Sequence, residues 1–127
     1  MTIARSIVAL TVDDYDAVIA LWESAGLPSR LNGRDSRESF AAQMASGQIV
    51  LGIRDDAHLI GVIVVTHDGR KGWLNRLAVH PDYQRQGLAQ RLVDAAEAAL
   101  TEQGITIYAA LIEDWNTASL ALFDRIG

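Results

Sequence analysis

The period of the apolar positions changes several times along this chain, and each change marks an element. Residues 3–10, IARSIVAL, suit a short strand. Thr11 and Asp14 form a capping box in T-V-D-D, and the helix that follows carries Ala17, Val18, Leu21 and Trp22 on one stripe before stopping near Gly26. LPSRLNGRDS, 27–36, is a polar loop, and a second helix over about 36–46 ends at Gly47. QIVLGIR, 48–54, and the unbroken apolar run LIGVIVV, 59–65, read as strands joined by the turn DDAH. An apolar run of that length fits a strand buried on both faces. After HDGRKG, 67–72, WLNRLAVH, 73–80, gives another strand. In that strand Trp73, Asn75, Leu77 and Val79 fall on one face by period two.

The longest helix runs from Gly87 to Gln103, with Leu88, Leu92, Val93, Ala96, Ala99 and Leu100 at helical spacing and Gly104 as its C-terminal glycine. ITIYAALI, 105–112, is a strand, and Asn116 caps a last helix through Ala118, Leu122 and Ile126. The order β-α-α-β-β-β-α-β-α implies a three-strand antiparallel meander followed by a parallel βαβ unit with a right-handed crossover. The predicted fold is therefore α+β: a mixed sheet with helices on its faces.

Composition narrows the functions open to this pattern. A chain of 127 residues supplies one core, and a single domain over 1–127 is expected. The net charge of −5 disfavours nucleic acid and anionic membrane as partners. There is no cysteine, so no disulfide or thiolate chemistry. His58, His67 and His80 lack paired ligand spacing, and no metal is expected. With no apolar run of membrane length and no basic leader, a cytoplasmic location is the default expectation.

The candidate chemistry sits in HPDYQRQGLAQRLV, 80–93, where Gly87 opens a helix instead of ending one. The first turn of a helix has N–H groups without partners and lies at the positive end of the dipole. Gly87 presents no side chain there, and Gln84, Arg85 and Gln86 add donors. Amides from about Arg85 to Ala89 can converge on a phosphate, with small Ala89 letting a large group lie close. From spacing alone this competes evenly with a tight turn in which glycine only relieves strain. The pattern is neither G-x-x-x-x-G-K-[ST] nor G-x-G-x-x-G, which disfavours a nucleotide-binding module.

Gln84-x-x-Gly87-x-Ala89, preceded by Leu77-Ala78-Val79-His80-Pro81, resembles the acyl-CoA signature of the GNAT (Gcn5-related N-acetyltransferase) superfamily. Asn116-x-x-Ser119-x-x-Leu122-Phe123-x-x-x-Gly127 resembles that family's second motif on the CoA side. IALWESAGL and HDGRKGW are similar to small bacterial members of the YpeA type. The resemblance covers nearly the whole chain and implies the GNAT acyl-CoA N-acyltransferase fold.

The resemblance implies acetyl transfer from acetyl-CoA to a primary amine of a small molecule, peptide or protein by direct attack. It places the CoA pyrophosphate on the amides of Arg85, Gln86, Gly87, Leu88 and Ala89, behind Gln84. The backbone of Leu77, Ala78 and Val79 would run beside the pantetheine arm, with an amide near Leu77 or Val79 aimed at the thioester oxygen. Asn116, Ser119 and Phe123 would complete the CoA side. The family's usual acid is a tyrosine where this chain has Phe123, which has no proton to give. Tyr108 is either a substitute acid or a packing residue.

A lysine-like amine, with a pKa of about 10.4, is neutral about once in 2,500 molecules at pH 7, so its proton needs a base or a water relay. Glu113 is the candidate relay base, and Asn75 a candidate for orienting water or substrate; a solvated loop carboxylate is the plainer role for Glu113. The loop 27–36 and the turn 67–72 would set the acceptor. Arg30, Arg34 and Arg37 either meet an acidic acceptor or form an ordinary charged surface, and Trp22 is either core or acceptor-pocket wall.

The family motif continues past the position of Gly127, usually into two more strands. The expectation is truncation at the C-terminus or, alternatively, a homodimer across strand 105–112, an edge that proteins normally cover. A non-catalytic acyl-CoA-binding sensor or scaffold is the competing function.

Overall fold

The structure, a computed structural model, describes residues 6–27, 36–105 and 107–111. The predicted order holds throughout them: β1 (Ile7–Ala9), α1 (Tyr15–Ser24), α2 (Arg37–Ala45), β2 (Ile49–Asp55), β3 (His58–His67), β4 (Lys71–Val79), α3 (Leu88–Glu102) and β5 (Ile107–Leu111). The strands form one sheet in the order β1-β2-β3-β4-β5. The first four are mutually antiparallel, and β5 runs parallel to β4, as the α3 crossover requires.

Local chemistry sets the boundaries. The capping box at Thr11 forms: Thr11 N–H donates to Asp14 Oδ2 at 2.9 Å, and Asp13 N–H donates to Thr11 Oγ1 at 3.3 Å. It opens a 3₁₀ turn, Val12–Asp14, that leads into α1. Ser36 caps α2 by accepting from the Ser39 N–H. At the end of α3, Gly104 N–H donates to Thr101 and Ile105 N–H to Leu100, the paired bonds of a Schellman stop.

Two apolar layers sandwich the sheet. On one face Leu51, Ile53, Ile63, Val65, Leu74 and Leu77 pack with Leu88, Leu92, Val93, Ala96 and Leu100 of α3. On the other, Val50, Val62, Val64 and Ala78 pack with Val18, Leu21 and Trp22 of α1 and Phe40 of α2. Residues 60–65 of β3 are buried throughout, as the uninterrupted apolar run implies. The α1 stripe differs from expectation: Ala17 is exposed, while Tyr15 and Ile19 join Val18, Leu21 and Trp22 inside.

Strand β4 departs from the expectation in two ways. It starts at Lys71, so the turn shrinks to about Asp68–Arg70; the Asp68 carboxylate accepts the Arg70 and Lys71 N–H groups at 2.9 and 2.8 Å and closes it. Gly72 belongs to the strand, paired with His67 of β3, and a Cβ there would lie 2.7 Å from Leu100 of α3. Second, Trp73, Asn75, Leu77 and Val79 do not share a face. Val62 pairs with Ala78 and Val64 with Asn75, so Arg76 and Leu77 together oppose Ile63. This is a β-bulge, with Arg76 in left-handed backbone at φ 51°. Its extra residue inverts the alternation. Leu77 and Val79 turn to the α3 layer, whereas Ala78 faces α1.

Candidate active site

The bulge lies one residue past the β4–β5 pairs among the described residues. Their pairing runs from Lys71↔Ile107 to Asn75↔Leu111, one residue before Arg76. From Arg76 to Val79 that edge of β4 faces no strand among the described residues. His80 N–H donates to Ile60 of β3 at 2.8 Å, so strand alternation turns the Val79 peptide groups toward the edge away from β3. There the Gln84 side-chain amide donates to the Val79 carbonyl at 3.4 Å, a long and exposed bond that an incoming chain can displace.

Beyond β4 the chain makes a 3₁₀ turn, Pro81–Tyr83. His80 caps it: Nδ1 accepts the Asp82 N–H at 3.1 Å, and the imidazole meets the Tyr83 ring edge-on with centroids 5.8 Å apart. Arg85 and Gly87 then both take left-handed backbone, at φ 64° and 78°. N–H groups in such turns line a concavity suited to anions. Gly87 is the N-cap of α3 and has no side chain to cap the helix. A Cβ on Gly87 would meet nothing within 4 Å, so the approach is open. The first turn of α3 contains no acidic residue to compete with an anion. Leu88, buried in the α3 layer, anchors this turn, and Ala89 is half-buried. Thus Gln84, Arg85, Gln86, Gly87, Leu88 and Ala89 follow directly on the end of β4 formed by Leu77, Ala78 and Val79.

On the opposite face of β4 the bulge presents a second group. The Arg76 guanidinium lies over the Trp22 ring, 3.9 Å from its centroid. Trp22 is 2% exposed, so it is core; its Nε1 is buried with no acceptor among the described residues. A non-glycine residue in left-handed backbone costs roughly 1–3 kcal/mol and tends to mark functional positions. Sequence reasoning missed Arg76; its one signal was a cation inside the apolar run WLNRLAV.

Asn75 is half-buried and pairs with Leu111, the last of the β4–β5 pairs among the described residues. The turn after β3 sits at the far end of β4, five residues or about 16 Å from Arg76, which places it away from the bulge. Arg37 is exposed and bonds to the protein's own surface: it donates to Val12 O and Asp16 Oδ2, both at 3.3 Å, and lies over Tyr15 at 5.1 Å. It ties α2 to α1. Glu113, Asn116, Ser119, Phe123, Arg30 and Arg34 lie outside the described residues. Among the described residues there is no group of three or more His, Cys, Asp or Glu that could hold a metal ion, and no helix long and apolar enough to cross a membrane.

A mixed sheet with a bulged β4, followed by a crossover helix that starts on bare amides, is the architecture of an acetyltransferase-type fold. The chain belongs to the acetyltransferase (GNAT) family, whose profile matches residues 15–127. Among curated proteins it is 25% identical over 115 residues to an acetyltransferase of Pectobacterium atrosepticum, covering 90% of this chain and 80% of that one. An acetyltransferase of Yersinia pseudotuberculosis matches over the same shares at the same identity. Among solved structures, the PaiA N-acetyltransferase of Thermoplasma acidophilum in complex with coenzyme A superposes with a TM-score of 0.83 at 20% identity, over 98% of this chain and 89% of that one. The ribosomal-protein-S18-alanine N-acetyltransferase of Escherichia coli gives 0.81 at 22%, over 98% and 77%.

Proposed function

We propose that this protein moves an acetyl group from acetyl-CoA to a primary amine. The observation that carries the reading is the open first turn of α3, set beside the Leu77–Val79 end of β4. A phosphate on the amides of Arg85 to Ala89 would gain N–H donors and the positive end of the helix dipole. From there an extended chain can reach along Val79 and Leu77 to the bulge, and the relative bound to coenzyme A supports that fit.

On this reading the two faces of the sheet divide the labour. The donor lies at the α3 side and the acceptor approaches from the α1 side, where Asn75 and Arg76 stand. The amine nitrogen attacks the thioester carbon, a C–N bond forms, and the C–S bond breaks as the tetrahedral oxyanion collapses. A β4 amide near Leu77 or Val79 would stabilise that oxyanion. The amine's proton leaves through a base or water relay, with Glu113 the candidate base and Asn75 orienting the relay. Asn116, Ser119 and Phe123 would complete the CoA side. With Phe123 in place of the usual tyrosine, CoA leaves as the thiolate, which a thiol pKa of about 8.5 makes tolerable.

The test is release of free thiol from acetyl-CoA across a panel of amines and peptides, with mass spectrometry of the N-acetylated product. Amine-dependent release with a matching product supports the transferase. CoA binding without release on any acceptor favours the sensor reading, for which Phe123 is the supporting residue.

A further inference from the structure

We infer that Trp73 selects the acceptor, and that the acceptor is an arylalkylamine: a flat, uncharged ring lies on the indole and carries the amine on a short alkyl arm. The inference rests on the transferase reading, because it takes the α1 face of the sheet as the acceptor side.

The neighbours of Trp73 in β4 fix the face it occupies. Leu74 packs in the α3 layer, and a Cβ on Gly72 would meet Leu100 of α3, so the residue between them points the other way. Pairing with β3 agrees. Asn75 opposes Val64, which packs in the α1 layer, and Trp73 opposes Thr66 two residues along. Trp73 and Asn75 therefore share the α1 face, before the bulge interrupts the alternation. Tryptophan gains most from burying its large ring, as Trp22 does at 2% exposed. Trp73 is instead half-buried and belongs to neither apolar layer formed by the described residues. Among those residues its indole N–H has no hydrogen-bond partner, and neither has the side-chain amide of Asn75. A broad aromatic surface that the core does not use, beside a polar group with bonds to give, suits a ligand that is part apolar and part polar.

The chemistry follows from what an indole face accepts, which is a flat ring or a cation. The reacting amine cannot be the group that rests there, because the amides proposed to hold the thioester oxygen, near Leu77 or Val79, lie at least four residues farther along β4. The group on the indole is thus the other end of the acceptor. Val64, Thr66 and Asn75, which surround Trp73 on this face of β3 and β4, carry no charge to pair with a second ammonium or a carboxylate. An uncharged ring fits. A short alkyl arm then carries the nitrogen alongside Asn75, two residues or about 7 Å up the strand, on the side from which it attacks.

The experiment compares 2-phenylethylamine, 3-phenylpropylamine and tryptamine with two amines that lack a ring. One is n-hexylamine, which keeps an apolar arm, and the other is spermidine, which offers cations instead. Binding of each to the CoA-saturated protein is measured by calorimetry, and KM and kcat are measured where turnover occurs. The expected result is that at least one aromatic amine binds about tenfold or more tightly than both ringless ones, in Kd and in KM. Trp73→Leu, which keeps an apolar side chain on the strand, should erase the preference, and Trp73→Phe should retain part of it. Neither change should alter the Kd for CoA. Equal binding of n-hexylamine or spermidine overturns the inference, as does a preference that survives Trp73→Leu. So does a Trp73→Leu variant that melts lower and binds every amine equally less well, which would make Trp73 a packing residue. Absence of any amine binding while CoA still binds also overturns it, whereas failure of the wild-type chain to bind CoA removes the transferase reading itself.

Discussion

Substitution at Gly87 separates charge, bulk and backbone strain at the anion site. Gly87 has φ 78°, and a Cβ there would meet nothing within 4 Å. Any side chain thus costs left-handed strain, roughly 1–2 kcal/mol, but no clash. Gly87→Ala should lower Tm by roughly 4–8 °C and leave CoA affinity within a few-fold. Gly87→Gln adds bulk at the mouth. Gly87→Glu adds the same bulk plus a negative charge. Two unit charges about 4 Å apart repel by about 1 kcal/mol in water and about 4 kcal/mol at an effective dielectric of 20. The site is open to solvent, so an intermediate value of about 2–3 kcal/mol applies, roughly a 30- to 200-fold loss of affinity relative to the glutamine variant. Calorimetric titration with CoA at low and moderate salt, beside thermal melts, measures both effects. The Glu–Gln difference should shrink as salt rises. Equal CoA affinity of the Glu and Gln variants, with both folded, would refute the pyrophosphate assignment.

Leu92→Ala removes a fully buried side chain of α3 and should cost about 2–5 kcal/mol in urea unfolding, with CoA affinity unchanged in the fraction that stays folded. Asp14 is held below its usual carboxylate range: burial raises its pKa, but the Thr11 N–H and the Arg54 guanidinium, 2.5 Å away, outweigh that. A lowered folded value means this stabilisation is present above the unfolded value of 3.8 and is lost as pH falls through the folded one. Urea midpoints for Asp14→Asn should therefore lie below wild type at neutral pH and converge with it as pH drops below about 4. Phe123→Tyr should raise kcat if thiolate departure limits turnover, and the pH–rate profile should acquire a basic limb that wild type lacks.

Much of this molecule was legible because its elements obey simple periods. The apolar run of β3, the α3 stripe and the capping box at Thr11 each specify one conformation, and the element order leaves few topologies. Gly87 was readable because glycine at the start of a helix needs a reason. The face of β4 was not. Counting by two places Asn75 beside Leu77, and one extra residue at Arg76 separates them. No local signal marks an arginine as left-handed; the bulge is fixed by pairing with β3 and by the stack on Trp22, both contacts remote in sequence. The turn after β3 was placed too long for a similar reason, since Gly72 is claimed by Leu100 of α3. Ala17 was misplaced because alanine fits either side of a helix.

The most direct test of the central claim is the response of the backbone amides of residues 85–89 to acetyl-CoA, read by ¹H–¹⁵N NMR on the uniformly labelled chain. The account predicts large downfield amide shifts at residues 85–89 and at Leu77–Val79, saturating at one equivalent. Shifts elsewhere with these amides unmoved, or no response to acetyl-CoA, would contradict it.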